Sequence, residues 1–191
     1  CRWVALRLID NDERILDAVK QMDATVEKII LTHGHMDHCA ASDVLRKQLS
    51  VPIEGPQLAD DFWIARLPEW CDMAGFPRAE AFVPDRWLED GDTVTVGDQT
   101  LKVLHCPGHT PGHVVFLYEP QKVAWVGDVL FQGSIGRTDL AGGDYGTLIR
   151  SVREKIFTLA DAATVYRQLV SDYPATLDHQ TGLGWALARM G

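Results

Sequence analysis

Apolar residues recur along the chain with a helical period in its first third and a strand-like alternation in its middle. The apolar segment Trp3 to Ile9 predicts a strand. Asn11 or Asp12 can cap a helix behind it whose apolar residues Ile15, Leu16, Val19 and Met22 lie at helical spacing. Lys28 to Leu31 predicts a second strand, Ser42 to Leu49 a short helix, and Val51 to Ile53 a short strand. Residues 57 to 76, with Phe62, Trp63, Ile64, Leu67 and Trp70, read as helical but broken by Pro68. The texture then changes. Thr93 to Val96 turns at Gly97-Asp98 into Thr100 to Leu104, a hairpin signature, because these turn residues tolerate positive φ. Val114 to Tyr118 and Lys122 to Val126 predict another strand pair, and a helix from about Asp144 to Leu159 carries an apolar stripe of Leu148, Ile149, Val152, Ile156 and Phe157. Alternating helices and strands, then clustered strands, then a closing helix predict an α/β fold layered as an αβ/βα sandwich rather than a doubly wound sheet.

Length and charge narrow what such a fold can do. At 191 residues the chain suits a single domain, 1–191. Its 27 acidic against 18 basic residues leave a formal charge of -9, and the basic residues are scattered, so no nucleic-acid partner is expected. No apolar run reaches the roughly 18 to 20 residues that span a bilayer, and no signal-peptide pattern opens the sequence. The chain therefore reads as soluble and cytoplasmic, with no membrane partner. Cys1, Cys39, Cys71 and Cys106 show no paired spacing and read as reduced thiols. A first residue of Cys1 instead of Met marks a fragment or a trimmed product. Oligomeric state is not set by any of these features.

The chemistry gathers at three predicted strand ends. "LTHGHMDH", residues 31–38, follows the apolar run of Ile29 to Leu31. Side chains two apart on an extended backbone face the same way, so His33 and His35 can converge, with Asp37 and His38 just beyond. Neutral imidazole and carboxylate in so small a space suit zinc and similar ions. The second cluster is "HCPGHTPGH", residues 105–113, whose glycines and prolines force a compact turn that can point His109 inward, leaving His105 and His113 as partners of ligands or as structural residues. In the third, "AWVGDVL" at 124–130, Asp128 follows an apolar strand and is either ligated or a helix cap.

The ordered set "THGHMDH", "CPGHTPGH", "GD" and "GSIGRTD" resembles the metallo-β-lactamase fold over about residues 10 to 162. Within that fold the chain most resembles short bacterial hydrolases similar to glyoxalase II, the hydroxyacylglutathione hydrolases. The resemblance implies a four-layer αβ/βα sandwich. It implies His33, His35 and His109 as ligands of a first metal, Asp37 and His38 of a second, and Asp128 bridging the two. It further implies one or two Zn2+ ions, with iron or manganese as alternatives, and attack of a metal-bound hydroxide on a small-molecule thioester, possibly glutathione-derived, with Asp37 and Asp128 as the catalytic carboxylates.

Two departures from the family pattern bear on activity. The last family ligand, a histidine in a turn after the closing helix, has no counterpart in the divergent tail 163–191, where His179 is either a displaced substitute or a histidine without a role. The N-terminal strands also read as incomplete, since a single strand precedes "LIDND". A weakened second metal and reduced or absent hydrolysis are therefore expected. Two other readings compete: a mononuclear iron persulfide dioxygenase using His33, His109 and Asp128, and a degenerate, catalytically impaired metal-binding domain. β-Lactamase and nuclease readings lack the export signal and the basic surface they would need. Arg137 can meet a substrate carboxylate or tie its own loop to Asp139 or Asp144. The aromatics of 57–76 are assigned to core packing, with a pocket or dimer contact as the alternative. Asp60 and Asp61 read as solvated, and Cys39 and Cys106 as non-ligating.

Overall fold

A computed structural model describes residues 25–159. The predicted strand Trp3 to Ile9, the helix behind it, the strand-like 163–166 and His179 lie outside the described residues, as do the N-terminal strands expected to be incomplete.

Three hydrophobic clusters separate four layers. The first layer is helical: α1 (Met36–Cys39), α2 (Ser42–Leu49), a 3-10 turn (Leu58–Asp60), α3 (Asp61–Ala65) and α4 (Leu67–Ala74). Its apolar residues Cys39, Leu45, Ile64, Leu67 and Cys71 pack on Ile29 and Ile53, from the parallel pair β1 (Ile29–Ile30) and β2 (Ile53–Glu54), and on Leu31 just after β1. The other face of this pair presents Ile30 to a second cluster that includes Val94, Leu101, Val103 and Phe116. Those residues belong to the antiparallel sheet of β3 (Thr93–Val96), β4 (Gln99–His105), β5 (Val114–Tyr118) and β6 (Val123–Trp125), in the order β3-β4-β5-β6. Its far face packs Leu104, Val115 and Ala124 on Leu148, Val152 and Ile156 of the closing helix. That helix is α5 (Tyr145–Ser151), continued by a π-helical turn (Val152–Ile156). The layers are thus helix, sheet, sheet, helix, the expected sandwich.

Strand β5 shows why the pattern was readable. Val114 and Phe116 enter one cluster and Val115 the other, so alternate side chains face opposite layers and all five residues are buried. The short hairpin of β7 (Leu130–Phe131) and β8 (Ser134–Ile135) follows the third predicted ligand region.

Two expectations shift. The helical break falls at Arg66, and Pro68 sits in the first turn of α4, where its missing N–H costs no helical hydrogen bond. Phe157 was placed on the buried stripe of the last helix but is 61% exposed. The π turn is the reason: Phe157 N–H donates to Val152 O at 2.9 Å, so the extra residue per turn rotates the stripe away from Phe157. Among the described residues no helix is long and apolar enough to cross a membrane.

Candidate metal centre

The loop of the first histidine cluster leaves β1 extended and turns into α1 at His35, whose φ and ψ of -66° and 144° are still strand-like. Its carbonyl takes the N–H groups of His38 and Cys39 at 2.9 and 3.1 Å. The second loop is closed by Cys106 N–H donating to His113 O at 2.8 Å. Val114 N–H, at the start of β5, donates to Thr32 O at 2.8 Å and thereby joins the two loops at their roots. The His33 and His35 ring centroids lie 4.9 Å apart, and His109 lies 4.9 Å from the first and 4.6 Å from the second. The extended-backbone argument for His33 and His35 holds, and the second loop delivers His109 to the same point.

The three rings are buried, at 0, 6 and 2% exposure. One nitrogen from each lies within 4.8 Å of the others. All three Nε2 atoms are buried without a hydrogen-bond partner. His109 Nδ1 lies 2.7 Å from Arg137 O; a carbonyl only accepts, so Nδ1 carries the proton and Nε2 keeps its lone pair. Burial, reinforced by the neighbouring imidazoles, holds the pKa of His33 well below the ordinary value. Burial and His109 push that of His35 down to about 3. Both rings are neutral at pH 7, the form that ligates a cation. Buried polar atoms are rarely left unpaired, and three orphaned nitrogens aimed at one point fit a divalent ion of the zinc or iron class.

A second, overlapping group comprises His33, His38 and Asp128. His38 Nε2 lies 3.2 Å from Asp128 Oδ1, and His109 Nε2 lies 3.5 Å from Asp128 Oδ2, so this carboxylate stands between the groups. Burial raises the Asp128 pKa, but the contact with His38 and the imidazoles of His38, His109 and His113 outweigh it and hold the pKa at about 2. Asp37 is more peripheral. Its side chain is 33% exposed, Oδ2 is 3.6 Å from His38 Nε2, and it joins neither converging group among the described residues.

Around these groups, His113 Nε2 accepts the Asp128 N–H at 3.1 Å, and its ring stacks on His33 at 4.7 Å and 17°. His105 Nε2 lies 2.8 Å from Pro111 O. Both histidines thus support the loops. Trp63 is buried in the core and also sets its ring against His35 at 4.4 Å. The Arg137 side chain forks onto Asp139 at 2.7 and 2.8 Å. Cys39 gives its thiol to Gly34 O, and burial raises the pKa of Cys39 and takes that of Cys106 to about 12, so neither offers a thiolate.

Asp60 corrects the sequence reading. Expected in solvent, it is fully buried and accepts three hydrogen bonds, from Gly34 N–H, Gly112 N–H and the Thr110 hydroxyl. The signal was available. Asp60 lies three, four and seven residues before the buried Trp63, Ile64 and Leu67, on the same helical stripe, whereas Asp61 is exposed.

A family model for the metallo-beta-lactamase superfamily matches residues 4–181. The hydroxyacylglutathione hydrolase GloC of Haemophilus influenzae is 43% identical over 150 residues, 78% of this chain and 71% of that protein. Among solved structures, the BLEG-1 B3 metallo-beta-lactamase superposes with a TM-score of 0.70 at 38% identity, over 77% of this chain and 71% of that one. TTHA1623 in a di-iron-bound form superposes at 0.69 with 32% identity, over 76% and 71%.

Proposed function

The chain belongs to the metallo-β-lactamase superfamily, and we propose that it is a metal-dependent hydrolase of a small glutathione-derived thioester, of the hydroxyacylglutathione type. The observation that carries this reading is the convergence of His33, His35 and His109 with Nε2 atoms buried and unpartnered. We propose that these three would hold a first cation and that His38 and Asp37 would hold a second, with Asp128, whose oxygens face both His38 and His109, available to both. Zn2+ is the ion we favour; the di-iron form of a similar structure keeps iron in view and supports two ions. When bound, such a cation acidifies water and polarises a carbonyl oxygen.

The chain's own residues supply the rest. His33, His35 and His109 are buried away from water, and we assign the more exposed Asp37 to orienting a water that enters from solvent. The ionised Asp128 is fixed twice, by His38 at its carboxylate and by His113 at its N–H. The 43% identity to a hydroxyacylglutathione hydrolase supports the thioester over other substrates of the fold.

The test pairs elemental analysis with thiol release from a hydroxyacylglutathione thioester. Expected are at least one tightly held ion per chain and a turnover, reduced by the missing last family ligand, that chelation abolishes and Zn2+ restores. Oxygen uptake on glutathione persulfide by the iron-loaded chain, or turnover of a β-lactam but not of the thioester, would overturn the assignment.

A further inference from the structure

Asp60 contributes no ligand atom to either converging group, yet it touches both loops that do. Its Oδ2 accepts Gly34 N–H and the Thr110 hydroxyl, each at 2.8 Å, and its Oδ1 accepts Gly112 N–H at 2.6 Å. Gly34 lies between His33 and His35, Thr110 follows His109, and Gly112 precedes His113. We propose that Asp60 is a positioning residue, a buried carboxylate that locks the two ligand-bearing loops at the separation a cation needs between His33, His35 and His109. The proposal rests on the metal reading above.

Three further features point the same way. Asp60 occupies the position before α3 where a carboxylate ordinarily caps its own helix, but its side chain makes no such bond. The local use is given up for the tertiary one. The main chain of the same turn is also bound to the second loop, since Gln57 N–H donates to Gly112 O at 3.0 Å.

The third feature is space. A Cβ on Gly34 would stand 2.8 Å from Trp63 Cβ, and one on Gly112 would stand 2.4 Å from Gln57 O and 2.6 Å from Asp60 N. Both loops are pressed so closely onto residues 57–63 that only glycine fits at either point. A buried charge is costly unless its oxygens are satisfied, and here every contact satisfying them comes from one of the two loops. Apolar packing could have filled the volume; it could not have held three loop donors in fixed directions.

The experiment uses Co2+ as the probe, whose visible absorption reports coordination geometry. Asp60→Asn keeps the shape but turns an amide N–H toward a backbone donor. It is expected to keep the parent's far-UV circular dichroism, to bind the first Co2+ roughly 10- to 100-fold more weakly, and to change the band pattern. Asp61→Asn, on the exposed neighbour, should match the parent in both respects. A D60N variant with lowered thermal stability but unchanged Co2+ affinity and spectrum would show a purely structural role and overturn the proposal. Should D60N fail to fold, Thr110→Val decides. It removes one of the three donors and leaves the carboxylate two, and several-fold weaker Co2+ binding supports the clamp while unchanged binding overturns it. A parent chain that takes up no Co2+ sinks the metal reading itself, a different result from D60N behaving like a competent parent.

Discussion

The two candidate ligand groups are built differently although they share His33. In the trio, all three rings are buried, their Nε2 atoms are unpartnered, and His109 is held from behind by Arg137 O. In the other group, the side chains of His38 and Asp128 are 10% and 13% exposed and already meet at 3.2 Å, while the adjacent Asp37 is 33% exposed. A cation entering the trio would meet three buried nitrogens that make no hydrogen bond, one of them 3.5 Å from Asp128 Oδ2. One beside His38 would meet side chains closer to solvent, Asp37 most of all. The trio is the more deeply buried of the two, so a cation held there should be bound more tightly than one held at the second group.

The largest effect expected from this asymmetry is on metal content. His35→Ala should lose the tightly held ion, with affinity falling by more than the roughly 10- to 100-fold that an outer partner costs, and thioester turnover should fall with it. His38→Ala should still hold one ion, with affinity within about tenfold of the parent, while turnover drops. Ions per chain after exhaustive dialysis, measured for both variants, decide the matter. If both variants lose metal equally, the two groups form one cooperative unit and the asymmetry is wrong.

How much of this was legible beforehand depends on what kind of information each feature uses. His33, His35, Asp37, His38, His109 and Asp128 stand in short local patterns at predicted strand ends, and the period-2 run of β5 exposes the sandwich directly. The structure brings five of the six into two converging groups and leaves Asp37 at their edge. Asp60 was missed because its partners are 26, 50 and 52 residues away, and its neighbour Asp61 makes the pair look like an ordinary polar helix start. The π turn that exposes Phe157 inserts one residue into a helical repeat, which a fixed period cannot register. The choice for Arg137 between Asp139 and a substrate turned on rotamers, and the structure shows the Asp139 pair.

A smaller effect should appear in the pH dependence of the metal-free chain. The folded pKa of His35 is about 3 against an ordinary 6.5, so between those values the unfolded chain binds more protons and stability rises with pH. His33 and His113, also lowered by burial, add in the same direction. Asp128, held at about 2, contributes stability that is lost only below its ordinary 3.8. Lowering the pH from 7.5 to 5.5 should cost about 1 kcal/mol through His35 alone, readable as a lower urea midpoint. His35→Ala should flatten that profile. A midpoint independent of pH in the parent would mean that His33 and His35 are not buried and neutral, and would remove the basis for the contrast.

The smallest effect tests how far the support of the buried trio extends outward. Arg137 contributes two things: a main-chain carbonyl that fixes the His109 tautomer, and an exposed guanidinium on Asp139. Arg137→Ala removes only the second, because every residue carries the carbonyl. A pair this exposed is screened by water and salt, so metal affinity and KM for the thioester should change by less than about twofold. A rise of several-fold in KM with metal content unchanged would mean the guanidinium leaves Asp139 to meet the substrate carboxylate. A loss of metal would mean instead that the Arg137–Asp139 fork holds the loop carbonyl against His109, carrying the support of the trio out to the surface.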